Sequence, residues 1–156
     1  MNRPRLALPL ALTALALLPA CGAYELSGKV IEGAASSVQV VAPDDRRLTA
    51  PGLGGILVQA TIDPQSLGRK SLAPAVSSAD GSFNIGVEEF GAGTLEYEIS
   101  VVARHERFQP SFQILPLPGR GRVLLITMTR GRDHDIDPHD PLQPWRNLSA
   151  PPPKLN

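Results

Sequence analysis

The sequence predicts an all-β protein, a single antiparallel β-sandwich of about seven strands. Apolar and polar residues alternate with a period of two over most of residues 24–130, as they do in strands with one buried face. Turn sequences rich in Pro, Gly and Asp interrupt the alternation at short intervals. After the first twenty residues, no window of a dozen residues carries an apolar stripe of helical period. Many short strands with frequent turns favour a sandwich over any helical fold.

The segment 1–20, which precedes the strands, has the features of a secretory signal peptide. Arg3 and Arg5 come before an uncharged run of 13 residues over 6–18. A spanning helix needs about 20 apolar residues, so this run is too short to be a stable transmembrane anchor. The tetrapeptide Leu-Pro-Ala-Cys begins at the last residue of this run, Leu18, and ends at Cys21, the only cysteine of the chain.

The tetrapeptide that ends at Cys21 resembles the lipobox of bacterial lipoproteins. The resemblance implies that the chain is cut before Cys21, that its sulfur is diacylated and that its new amino group is acylated. Residues 21–23 would then be the lipidated N-terminus and a short linker. Gly22 stands where Asp often retains such proteins in the inner membrane, which favours the outer membrane, facing the periplasm. The alternatives are a plain signal peptide with an incidental Cys21, or an uncleaved anchor.

Seven segments between residues 24 and 130 show the alternation, and each is predicted to be a strand. They are 25–31, 37–41, 56–62, 82–85, 95–101, 111–114 and 123–128, with a weaker eighth over 71–77. In this pattern Leu95, Phe112 and Ile114 fall on the apolar, and therefore buried, face of their strands.

A tight turn is predicted at Asp80-Gly81, because Asp-Gly tolerates the positive φ that a two-residue hairpin turn demands. Phe83 leads the strand that follows, and its apolar face predicts that the ring is buried in the core.

This turn and the strands around it resemble, in order, the carboxypeptidase regulatory-like domain, a prealbumin-like β-sandwich. The matching residues are Gly28-Lys-Val30, Asp80-Gly-Ser-Phe83, Tyr97-Glu-Ile99-Ser-Val101 and a closing strand over 121–129. The resemblance spans about two thirds of the chain and implies one such domain over 24–130. The sequence departs from the pattern at 33–53, which is an insertion, and at Arg107 and Phe108, where the family usually has Gly and Tyr.

The charges and the chemical groups of the chain favour a non-enzymatic protein. Fifteen basic residues balance fifteen acidic ones, so no nucleic-acid partner is expected. The only cysteine is assigned to lipidation, and no Gly-x-Ser-x-Gly nucleophile elbow is present. His105 lies between charged residues in a predicted hairpin turn, where it is expected to be solvated. No catalytic residue and no cofactor are therefore expected.

A cluster of Asp and His over 133–140 contains the best candidates for metal ligands. The weak candidates are His134, Asp135, Asp137 and His139. An EF-hand loop is excluded, because Pro138 occupies the sixth position, where that loop needs Gly. The other interpretation of the cluster is a solvated acidic stretch.

Residues 131–156 contain six prolines and the only tryptophan, Trp145, which predicts an extended or disordered tail. Trp145 either packs back on the sandwich or anchors a partner.

The predicted function is therefore that of a lipid-anchored cell-envelope protein without enzymatic activity, whose sandwich serves as an interaction or spacer module. Its expected partners are the membrane, through acyl chains on Cys21, and a protein of the envelope. The alternative is an envelope lipoprotein that binds a small ligand or a divalent metal.

Overall fold

The computed structural model describes residues 24–89 and 91–132, and in these ranges nine strands form two sheets. The strands are β1 (Tyr24–Glu32), β2 (Ser37–Val41), β3 (Leu57–Ile62), β4 (Lys70–Ser71), β5 (Ala75–Val76), β6 (Ser82–Val87), β7 (Glu98–His105), β8 (Phe108–Pro116) and β9 (Val123–Met128). The predicted signal peptide, the linker 21–23 and all but the first two residues of the predicted tail lie outside the described residues.

The two sheets pack face to face around one core, which confirms the all-β class. The first sheet has the strand order β2-β9-β1-β6, and the second has the order β4-β3-β7-β8, with β5 also paired to β3. Fully buried side chains of both sheets meet between them, among them Leu26 and Ile85 of the first sheet and Val58 and Ile99 of the second. Alternate residues of β6, for example, face this core, as the period of two requires.

The sandwich is not purely antiparallel, because β1 and β9 pair in parallel, from Gly28 opposite Leu124 to Glu32 opposite Met128. Almost the whole described chain separates these strands, so no hairpin sets their relative direction. A long connection through the second sheet permits the parallel pair. The strands number nine rather than about seven, partly because the weak segment 71–77 splits into β4 and β5, two residues each.

The strand predicted over 95–101 begins later, at Glu98, and continues to His105. A turn over 91–95 precedes it, in which Gly91 and Gly93 both have positive φ and the Leu95 N–H donates to the Gly91 carbonyl. Leu95 therefore lies in the turn with half of its surface exposed, and its predicted burial is wrong.

The predicted apolar face of β8 is also wrong. Phe112 and Ile114 lie opposite Val102 and Ser100 of β7 and are half-buried on the outer face of the second sheet. The opposite face carries Ser111, whose buried hydroxyl donates to the Thr127 carbonyl of the first sheet at 2.6 Å. A polar residue occupies the core side of this strand because its hydrogen bond to the other sheet offsets the cost of burial.

The turn at Asp80-Gly81 is tight, but it does not close the predicted two-residue hairpin. The Gly81 N–H donates to the Ser78 carbonyl, and the Ser78 N–H donates to the Ser82 carbonyl. Gly81 has a φ of 83°, and β5 before the turn and β6 after it belong to different sheets. The turn therefore carries the chain across the sandwich. The predicted burial of Phe83 is confirmed, with 4% of its surface exposed.

The insertion between β2 and β3 covers the outer face of the first sheet. It forms a short 3-10 helix, Arg46–Thr49, and brings Leu48 against Ile31 and Leu125 in a second small apolar cluster. The Lys29 ammonium donates to the Leu48 carbonyl at 2.7 Å and fixes the insertion on β1. This cover explains why Ile31, at a polar position of the alternation, is buried.

Candidate functional site

The site residues predicted from the sequence, Cys21 and the weak metal candidates His134, Asp135, Asp137 and His139, lie outside the described residues. Lipidation and metal binding at these positions therefore stay predictions. Within residues 24–89 and 91–132, no group of three or more His, Cys, Asp or Glu is placed to hold a metal ion. In the same ranges, no helix has the length and apolar character needed to cross a membrane.

His105, the one histidine that the described ranges contain, takes part in the hairpin between β7 and β8. Its Nδ1 accepts a hydrogen bond from the Arg107 backbone N–H at 3.2 Å. Its ring meets the Phe108 ring edge to face, with 5.6 Å between centroids. The half-buried imidazole thus stabilises the turn, whereas the sequence predicted a solvated side chain.

A groove of about 360 Å³ lies at the end of the sandwich where β1 begins. Two charged residues of the connection between β8 and β9, Arg120 and Arg122, line it. Tyr24, Glu25 and Ser27 of β1 line it as well. The order of the first sheet, in which β9 is the neighbour of β1, brings these two distant segments together.

Tyr24 holds the floor of this groove in place. Only 7% of its surface is exposed, and its hydroxyl donates a hydrogen bond to the Pro118 carbonyl. Its ring packs on Gly93, where an added Cβ would lie 2.5 Å from Cδ2 of the tyrosine. Burial raises the pKa of Tyr24 above its ordinary value of 10.0, and the nearby charge of Arg120 lowers it in part. The phenol is therefore neutral at physiological pH and ties β1 to the β8–β9 connection.

The two arginines belong to a turn whose geometry leaves space between them. The Arg122 N–H donates to the Gly119 carbonyl at 3.1 Å, and Gly121 between the arginines has a φ of 81°. Among residues 24–89 and 91–132, no atom lies within 4 Å of the position that a Cβ on Gly121 would take. Both arginines are exposed, and the exposed Glu25 supplies a carboxylate on the neighbouring strand. The charged groups of the lining thus carry one net positive charge.

A smaller hollow of about 170 Å³ lies against the second sheet. Ser100, Thr61 and Val102 are among the residues that line it. The Ser100 hydroxyl is buried and has no hydrogen-bond partner among the residues that the structure describes. Such a group costs free energy unless a small polar molecule or a change of rotamer satisfies it.

No family model, no curated protein and no solved structure matches the chain. The resemblance to the carboxypeptidase regulatory-like domain therefore stays an interpretation of the sequence.

Sequence reasoning did not find the groove. The one available signal was Gly119-Arg-Gly-Arg122, a basic turn between two strands. Nothing in the sequence places that turn beside Tyr24.

Proposed function

We propose that this protein is a lipid-anchored protein of the bacterial cell envelope, without enzymatic activity, whose β-sandwich serves as an interaction or spacer module. The observation that carries the proposal is the Leu-Pro-Ala-Cys sequence, which ends in the only cysteine and begins at the last residue of an uncharged run of 13 residues. A family relation to carboxypeptidase regulatory-like domains, drawn from the order of their motifs, belongs to the same proposal.

The position of β1 supports this arrangement. β1 begins at Tyr24, three positions after Cys21. Three extended residues span about 10 Å, so acyl chains on Cys21 hold this end of the sandwich at the bilayer surface. Several acyl chains on one residue give stable attachment, whereas a single chain gives only marginal and reversible binding.

The length of the sandwich suits a spacer. β1 contains nine residues, and a strand of that length rises about 27 Å away from its first residue. Envelope proteins that meet the far end of the sandwich would be held at this distance from the membrane. Gly22 favours the outer membrane, with the sandwich in the periplasm.

The test replaces Cys21 in the full chain, produced in a Gram-negative host. We expect the wild-type protein to incorporate labelled palmitate, to partition into the detergent phase and to sediment with the outer-membrane fraction. Cys21→Ser removes the sulfur that the first acylation requires, so we expect no label and no cleavage before residue 21. The matched control is Ser66→Ala, which changes an exposed serine outside the groove and leaves the cysteine in place. Equal labelling and partitioning of wild type and Cys21→Ser would refute the anchoring proposal.

A further inference from the structure

We infer that the groove formed by Tyr24, Arg120 and Arg122 binds the phosphate group of a membrane phospholipid. The inference rests on the proposed function, because the acyl chains on Cys21 are what bring phospholipid headgroups to this end of the sandwich. It adds a second, specific contact with the membrane, made by the folded domain itself.

The first argument is position. Tyr24 lines the groove and follows Cys21 by three residues, so the groove opens within about 10 Å of the lipidated residue. The groove and the anchor therefore lie at the same end of the sandwich, and headgroups next to the acylated cysteine are within reach of its arginines.

The second argument is the chemistry of the lining. Guanidinium groups recognise phosphate oxygens with paired, charge-assisted hydrogen bonds, which are stronger than hydrogen bonds between neutral groups. Arg120 and Arg122 flank Gly121, and the described part of the chain leaves the space beside that glycine open, which gives an anion access to the turn between them. With Glu25, the lining keeps one net positive charge, which matches the single negative charge of a phosphodiester.

The third argument is rigidity. The hydrogen bond from the Tyr24 hydroxyl to the Pro118 carbonyl joins β1 to the segment that leads into the arginine turn. The Arg122 N–H closes the turn on the Gly119 carbonyl, and the stem of Arg120 lies beside Gly93. Because these contacts already hold the backbone of the site, binding an anion does not have to order the turn.

The experiment uses the mature lipoprotein, purified from membranes in a detergent without phosphate and released from micelles in a native mass spectrometer. The probes are dioleoyl phosphatidylglycerol, dioleoylglycerol, which has the same acyl chains but no phosphate, and inorganic phosphate. We expect one retained phosphatidylglycerol per protein, no retained dioleoylglycerol, and no displacement by millimolar inorganic phosphate. Arg120→Gln combined with Arg122→Gln should weaken the retention about tenfold.

The matched control is Arg107→Gln combined with Arg132→Gln. It removes the same charge from two exposed arginines at the opposite end of the sandwich, and we expect retention like that of the wild type. Circular dichroism checks that both double variants keep their fold. The inference would be overturned if both double variants lost phosphatidylglycerol equally. It would also be overturned if the wild type retained dioleoylglycerol as well as phosphatidylglycerol, or if inorganic phosphate displaced the retained lipid.

The same spectra separate this inference from the anchoring proposal. The mass of the intact protein reports whether Cys21 carries acyl chains. An acylated protein that retains no phosphatidylglycerol overturns the groove and leaves the anchor standing. A protein without acyl chains that retains phosphatidylglycerol through Arg120 and Arg122 supports the groove and refutes the anchor.

Discussion

The contact between Phe83 and Gly28 permits a sharp test of the core. The two residues lie opposite each other in the pairing of β6 with β1. A Cβ built on Gly28 would lie 2.3 Å from Cζ of the Phe83 ring and 2.8 Å from the Leu124 carbonyl oxygen. The ring therefore occupies the space that a side chain at position 28 would need.

This geometry sets the expected losses in the free energy of unfolding. Phe83→Ala removes a ring that is 4% exposed, and burial of about 150–200 Å² of apolar surface at about 25 cal/mol per Å² predicts a loss of about 3–5 kcal/mol. Gly28→Ala forces a methyl group into the ring and should cost about 1–3 kcal/mol. In the double variant the new methyl group meets no ring, so the combined loss should fall short of the sum by at least about 1 kcal/mol.

The assay is equilibrium urea unfolding of the mature protein, followed by far-ultraviolet circular dichroism. The matched control is Phe112→Ala, which removes the same ring from the half-buried outer face of β8. Its cost should be less than half that of Phe83→Ala. Equal costs at the two positions, or additive losses in the double variant, would refute the assigned strand faces.

Two further predictions concern a buried serine and an exposed ion pair. Ser77→Ala should lower the free energy of unfolding by about 2–3 kcal/mol, because the buried hydroxyl accepts from the Ile56 N–H at 2.9 Å and also donates to a backbone carbonyl. The exposed Ser82→Ala is its control in urea unfolding, and equal small losses would contradict the assigned role. Hydrogen bonds from the Arg47 side chain and backbone lower the pKa of Asp45 from 3.8 to about 2, so its stabilising effect is present above pH 4 and is lost as the pH falls through about 2. A carboxyl NMR titration should show that midpoint, and Arg47→Gln should raise it towards 3.8; an unchanged midpoint would exclude the ion pair as the cause.

The period of two predicts the buried face correctly in strands that have the core on one side and solvent on the other. In β6, for example, Phe83, Ile85 and Val87 are buried while the residues between them are exposed, and the alternation follows. It failed in β8, where a hydrogen bond to the first sheet permits Ser111 on the core side. A pattern of hydrophobicity contains no information about such a long-range hydrogen bond, so the alternation places the apolar Phe112 on the wrong face of β8.

The pairing of the strands was harder to predict from the sequence than their positions along the chain. Local turns identify hairpins such as the one between β7 and β8, but no local signal pairs β1 with β9. The groove depends on that pairing, because Tyr24 and Arg122 belong to these two segments. The charges of the candidate site could therefore be found in the sequence, whereas their proximity could not.

The parallel pair of β1 and β9 has a consequence for an anchored protein. Because the two strands run in the same direction, the described chain enters at the end next to Cys21 and leaves at the opposite end, beyond Arg130. There the Arg130 guanidinium binds both carboxylate oxygens of Glu32, at 2.7 and 3.1 Å, and joins the end of β9 to the end of β1. The end of β9 at Met128 lies opposite Glu32, and the nine residues of β1 rise about 27 Å between Tyr24 and that end. An antiparallel pair would instead return the described chain to the end of the sandwich where β1 begins, so the direction of β9 agrees with the spacer role that we propose.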